Sequence, residues 1–291
     1  MVQIISRNLV LSLAKLLVLS VGIFLILRSA AYYDADFSFL EFCRSMVSGR
    51  LLDHFAVSGL PPLHTSVPYS LTTLLLALLL SYGVGAPLGV LLGRYRMAWT
   101  QFLGHVFMGV ALAVPAFWIA YLVLYYSIME YGVFIGGEIA PAATNQFGSY
   151  ISRCLLLAVP LSLSGIAFVA RQVFQTLFNA FPPGSILAAR ATGISQRMMF
   201  DSVGIAVVWR PLLRTFPFLL SLFISVLVVI ETAFFVPGFG YSLYRAAEQS
   251  DLQSLAVLSL WAIMVLLAAN LVVDVMLELI DARHPANPDP E

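Results

Sequence analysis

The chain has 291 residues, 60% of them hydrophobic and 10% charged, with a formal net charge of zero. Soluble domains run at about 45–50% apolar and about 25% charged, so this composition excludes a cytosolic enzyme, a nucleic-acid binder and a disordered chain. Two cysteines, Cys43 and Cys154, supply neither a disulfide framework nor a metal cluster, and one membrane-embedded unit remains.

A helix needs about 20 mostly apolar residues to cross the hydrocarbon. Six stretches reach that length, at roughly 9–28, 69–93, 102–128, 150–170, 212–234 and 254–279. Lipid offers bare peptide groups no partner, so each is expected to be helical. The run Leu74-Leu75-Leu76-Ala77-Leu78-Leu79-Leu80 lacks the alternation of a barrel strand. The first stretch, after Arg7, is too long for a signal core and is read as a retained span. The chain then divides into a first span with an outer segment, 1–68, and a core of five spans, 69–291.

Arginine placement sets the orientation. With the N-terminus inside, the inner side collects Arg7, Arg94, Arg96, Arg171, Arg190, Arg197, Arg210, Arg214 and Arg283, while Arg28, Arg44, Arg50, Arg153 and Arg245 fall outside. Six spans return the C-terminus to the inside. In the outer segment, Leu40, Cys43, Val47 and Leu51 recur at helical spacing, as in an amphipathic helix lying on the membrane surface. His54 and His64 read as solvated residues of that segment and His105 as interfacial, so no metal site is expected. The inner segment 171–211 contains Phe181-Pro182-Pro183-Gly184, then Ser185 as a cap, a short helix to Thr192, and Gly193 as its stop. Ser195 can cap a second short helix.

Lys15, followed by Leu16, is the only lysine. A nucleotide-binding P-loop needs Gly-Lys followed by Ser or Thr, so any ATP that drives transport must be handled by another chain. No cofactor is expected in this one. Charges within the spans are few: Lys15, Glu231, Asp274 and Glu278. A proton-coupled transporter buries a chain of such groups, so a stand-alone secondary transporter or channel is the lesser alternative. A membrane enzyme lacks a nucleophile–base set.

Five blocks in order carry a resemblance. The second span ends Gly85-Ala86-Pro87-Leu88-Gly89, and the third contains Pro115-Ala116-Phe117-Trp118. The inner loop reads Ala188-Ala189-Arg190-Ala191-Thr192-Gly193-Ile194-Ser195. The fifth span runs into Glu231-Thr232-Ala233-Phe234-Phe235-Val236-Pro237-Gly238-Phe239-Gly240, with Ala246 and Asp251 beyond, and Asp281-Ala282-Arg283 lies near the end. Together they resemble the membrane subunits of dipeptide, oligopeptide and nickel ABC importers. Leu187 stands where the general permease motif has glutamate. The resemblance implies an all-α, six-span, type I importer permease. It also implies a second similar permease, two ATP-binding subunits inside and a solute-binding protein outside.

In such permeases the short inner-loop helix sits in a cleft of the ATPase. Ala188, Ala189 and Ala191 would allow close approach, Gly193 would permit the turn, Ser195 would start the next helix, and Arg190 and Arg197 would meet partner carboxylates. Glu231 is expected as an outer gate residue holding a turn built on Pro237, Gly238 and Gly240, with a snorkelling end-of-span charge as the plainer reading. Cargo stays open between peptides, nickel and a metal chelate.

Overall fold

The computed structural model describes residues 63–94, 98–131, 146–182, 184, 191–193 and 205–283, with scattered positions between 10 and 44. Every regular element among these residues is helical: α1 (Leu63–Arg94), α2 (Ala98–Ala113), α3 (Ala116–Tyr131), α4 (Gln146–Ala180), α5 (Ile205–Ala233), α6 (Phe239–Glu248) and α7 (Leu252–Arg283). Four of them, α1, α4, α5 and α7, are individually long and apolar enough to cross a membrane, and counting α2 with α3 makes five. The expected first span, 9–28, lies mostly outside the described residues; the described positions from Val10 to Leu25 are helical, as are Leu40 and Arg44 of the outer segment.

The expected boundaries shift in four places. Helix α1 begins at Leu63, so His64 lies in its first turn rather than in a loop. Helix α4 runs to Ala180 and α5 starts at Ile205, which narrows the inner loop expected at 171–211. The third span is not one rod, because α2 and α3 meet at an angle of 82° around Val114 and Pro115. Pro115 has no N–H to donate and its ring crowds the preceding turn; Trp118 N and Ile119 N both turn to the Pro115 carbonyl, at 3.0 and 3.4 Å. Gly184 is helical, and the expected Ser185 cap lies outside the described residues.

The chain forms two compact units, Leu71–Phe234 and Met1–Ser70 with Phe235–Glu291. In the first unit α4 packs against α5, α2 and α3. Helices in lipid gain little from hydrophobic association and rely on close packing, and α1 supplies it with Gly85, Gly89 and Gly93, one residue in four. A Cβ on Gly89 would come within 2.5 Å of the Ala170 carbonyl oxygen and 2.7 Å of Val173 Cβ, and one on Gly85 within 2.7 Å of the Ile166 carbonyl oxygen. Gly165 of α4 repays the contact, since its Cβ would strike Ser81 Oγ and the Phe223 ring. Phe168 and Phe218 stack at 4.8 Å between α4 and α5.

Prolines inside α4 and α5 are Pro160, Pro211 and Pro217. Such prolines survive in spans when neighbours satisfy the loosened backbone. Near Pro217, the Leu212 carbonyl accepts from Thr215 Oγ1 at 2.7 Å and from Tyr82 OH of α1 at 3.1 Å. Tyr82 OH also lies 2.8 Å from Thr215 Oγ1.

In the second unit α6 packs on α7. Ser250, at φ 56°, closes α6 in the left-handed region. Its N–H reaches the Ala247 carbonyl and the Asp251 N–H reaches that of Ala246, a Schellman ending. Asp251 then caps α7: Oδ1 accepts from Ser254 N at 3.1 Å and Oδ2 from Ser254 Oγ at 2.6 Å. One residue thus ends one helix and starts the next.

Candidate functional site

Two regions hold the residues expected from sequence. In the loop between α4 and α5, Ala191 ends a helical stretch, and Thr192 and Gly193 form an exposed turn. Gly193 has φ +84° with nothing within 4 Å of the position a Cβ would occupy. Only glycine adopts that conformation without strain, so the expected helix stop is where the structure places it. Ala188, Ala189, Arg190, Ser195 and Arg197 lie outside the described residues.

The other region follows α5. Glu231 is completely buried in the last turn of that helix, between the equally buried Ile230 and Phe234. Its polar surroundings come from α1 and α4. Cys154 shares side-chain hydrogen bonds with Thr73 and Tyr150 and lies in the field of the Glu231 carboxylate. Tyr150 OH is 2.9 Å from Thr72 Oγ1. Sequence reasoning missed Thr72, Thr73, Tyr150 and Cys154. Their only signal was position, at the same end of the first unit as Glu231 because α1 and α4 run parallel and α5 runs opposite to both.

The segment after Glu231 differs from the expected turn. Phe234 and Phe235 form a turn, the latter at φ 51°, an unusual backbone for a bulky residue. Pro237 and Gly238 lead directly into α6, so Gly240 and Tyr241 are helical rather than part of a loop. Gly238 is extended at φ −94° and ψ −175° and serves as the cap residue of α6. The Gly238 N–H bonds the Val236 carbonyl at 2.7 Å, and the Phe239 N–H donates to Ser70 Oγ at 2.7 Å. Ser242 Oγ donates to the Gly238 carbonyl at 2.9 Å. Gly238, Gly240, Ser242 and Ala246 are all buried, so small residues here serve close packing.

Residues 85–284 match the family of binding-protein-dependent transport system inner membrane components. The chain belongs to that family. It is a multi-pass inner-membrane permease component of a transport system. A Brucella abortus (strain 2308) protein, named as a permease of a peptide transport system, is 26% identical over 219 residues, covering 75% of this chain and 69% of its own length. A nickel import system permease protein of Staphylococcus aureus (strain USA300) is 23% identical over 219 residues, covering 74% and 63%. The matched region takes in both the Gly193 turn and the Glu231 end of α5.

Proposed function

We propose that this permease is one of a pair of membrane subunits in an ABC importer of di- or oligopeptides, with nickel or a metal chelate as the second cargo. The supporting observation is the family match across 85–284 together with relatives named for peptide and nickel import. The chain has six spans with both termini inside, in keeping with the inward bias of its arginines. A first span with its outer segment, 1–68, precedes the five-span core, 69–291.

Each region then has one task. The loop around Gly193, with Ala188, Ala189, Arg190, Ala191, Ser195 and Arg197, seats in an ATP-binding subunit and carries its closure to the spans. Glu231, held in the Thr73–Tyr150–Cys154 environment, stabilises one state of the outer gate, and Pro237, Gly238 and Gly240 shape the segment beyond it. ATP binding biases an existing two-state equilibrium toward the outward-open form, and hydrolysis releases it. The chain performs no covalent chemistry and carries no cofactor; ATP is handled by partner subunits, and cargo is delivered by a solute-binding protein.

Reconstitution in liposomes tests this reading. The chain is combined with the second permease, the ATP-binding subunits and the solute-binding protein, and uptake of a labelled dipeptide and of radioactive nickel is followed with and without ATP. ATP-dependent dipeptide uptake is expected. Uptake by the chain alone would point instead to a secondary transporter.

A further inference from the structure

Between α2 and α4 lies a cavity of about 220 Å³, lined by His105, Met108 and Gly109 from one helix and Arg171, Phe174 and Gln175 from the other. Its floor is apolar and buried, formed by Met108 and Phe174. Its rim is polar and exposed, formed by His105, Arg171 and Gln175. His105 is held edge-on against the Phe174 ring at 5.1 Å.

We propose that this cavity binds the phosphate of an anionic phospholipid. The cavity lies where both helices pass from polar to apolar sequence. In α2, Thr100 and Gln101 precede a run from Phe102 to Ala113 whose one polar side chain is His105, and in α4 the run to Ala170 gives way to Arg171, Gln172, Gln175, Thr176 and Asn179. That boundary is the headgroup level. Trp99, 73% exposed and edge-on to Phe102 at 6.2 Å, lies on the polar side of it, as interfacial aromatics do.

The charge is also open to an anion. Among the described residues Arg171 has no ion-pair or hydrogen-bond partner, and the described carboxylates of this unit are Glu130, in the last turn of α3, and Glu231, at the opposite end of the bundle. A guanidinium presents a fork of N–H donors that matches a phosphate, and the His105 ring and Gln175 amide add donors beside it. The apolar floor suits the first carbons of the lipid below its phosphate. A soluble phosphate would gain nothing from Met108 and Phe174, which favours the lipid.

The test uses the purified full chain in neutral detergent, titrated with phosphatidylglycerol, phosphatidylcholine or inorganic phosphate and read by native mass spectrometry. Phosphatidylglycerol is expected to be retained over phosphatidylcholine. Arg171→Gln should weaken that retention about fivefold, the usual value of one basic residue at a membrane surface. Gly109→Leu should weaken it as well by filling the cavity, since nothing lies within 4 Å of a Cβ there. Arg245→Gln in α6 removes the same charge elsewhere and should retain the lipid. Circular dichroism and gel filtration confirm that each variant is folded.

Equal retention of the two lipids, or unchanged retention in both Arg171→Gln and Gly109→Leu, would overturn the proposal, as would displacement of phosphatidylglycerol by millimolar inorganic phosphate. The inner leaflet as the source rests on the orientation proposed above. Binding in micelles does not depend on sidedness, so failure of the orientation leaves this result unaffected.

Discussion

Gly89→Ala adds one methyl group at the tightest point between α1 and α4. The new Cβ would lie 2.5 Å from the Ala170 carbonyl oxygen, 2.7 Å from Val173 Cβ and 3.0 Å from Val173 Cγ1. Two of these atoms are fixed to the α4 backbone, so no rotamer change relieves the clash and the helices must separate. Overpacking of this kind costs about 1–3 kcal/mol, against a gain of about 1 kcal/mol for replacing glycine by alanine in a helix. Gly83→Ala makes the same chemical change six residues earlier, where nothing lies within 4 Å of the new Cβ, and keeps only the gain. The two variants should therefore differ in stability by about 1–3 kcal/mol, a difference of about 5- to 150-fold in the ratio of folded to unfolded chain. Denaturation of the purified chain in micelles, followed by tryptophan fluorescence, measures it. Equal midpoints for Gly89→Ala and Gly83→Ala would show that the glycine row is not a packing contact.

Glu231→Gln should reduce uptake about tenfold while leaving complex assembly intact, because a buried charge-assisted hydrogen bond contributes about 1.5–3 kcal/mol; wild-type uptake would remove the carboxylate from the gate. Gly193→Val forces a β-branched residue to φ +84°, at a strain of about 1–3 kcal/mol, and should raise hydrolysis relative to uptake in the reconstituted importer. An unchanged ratio in both Gly193→Val and Arg190→Glu would deny the loop its coupling role. Asp251→Ala removes both bonds to Ser254 and should cost about 1 kcal/mol of stability, a typical cap value; an unaltered melting temperature would contradict it.

Helix type and approximate position were legible because continuous apolar runs admit one backbone solution in lipid. The glycine spacing at 85, 89 and 93 was visible as a motif, but its meaning needs the facing helix, since Gly83 and Gly109 look the same in sequence and touch nothing. The break at Val114 and Pro115 was not legible: proline occurs inside α4 and α5 without ending them, and neighbouring helices decide whether it kinks or breaks. Glu231 was singled out as an intramembrane charge, whereas Thr73, Tyr150 and Cys154 carry no charge and no local pattern. They are brought to it because α1 and α4 run parallel and α5 runs opposite to both, a property of topology rather than of any segment. The segment 237–241 was misjudged because proline and glycine signal turns, yet here they are followed at once by a helix whose small residues are buried.

The same packing limits how the permease can move. Alternating access needs elements with two arrangements, and α1 on α4 does not offer a second one close by. Gly85 and Gly89 meet the carbonyls of Ile166 and Ala170, four residues apart on both helices. Sliding α1 by one residue would bring Ala86 and Val90, or Val84 and Leu88, to those carbonyls, where even a glycine is already in tight contact. The pair therefore shifts as one body, with α5 clipped to it through Tyr82, Thr215 and the Leu212 carbonyl. A rigid body of this kind would carry a displacement applied at its Gly193 end to its Glu231 end. The coupling proposed for the loop between α4 and α5 would require that property, because the loop is joined directly to both helices.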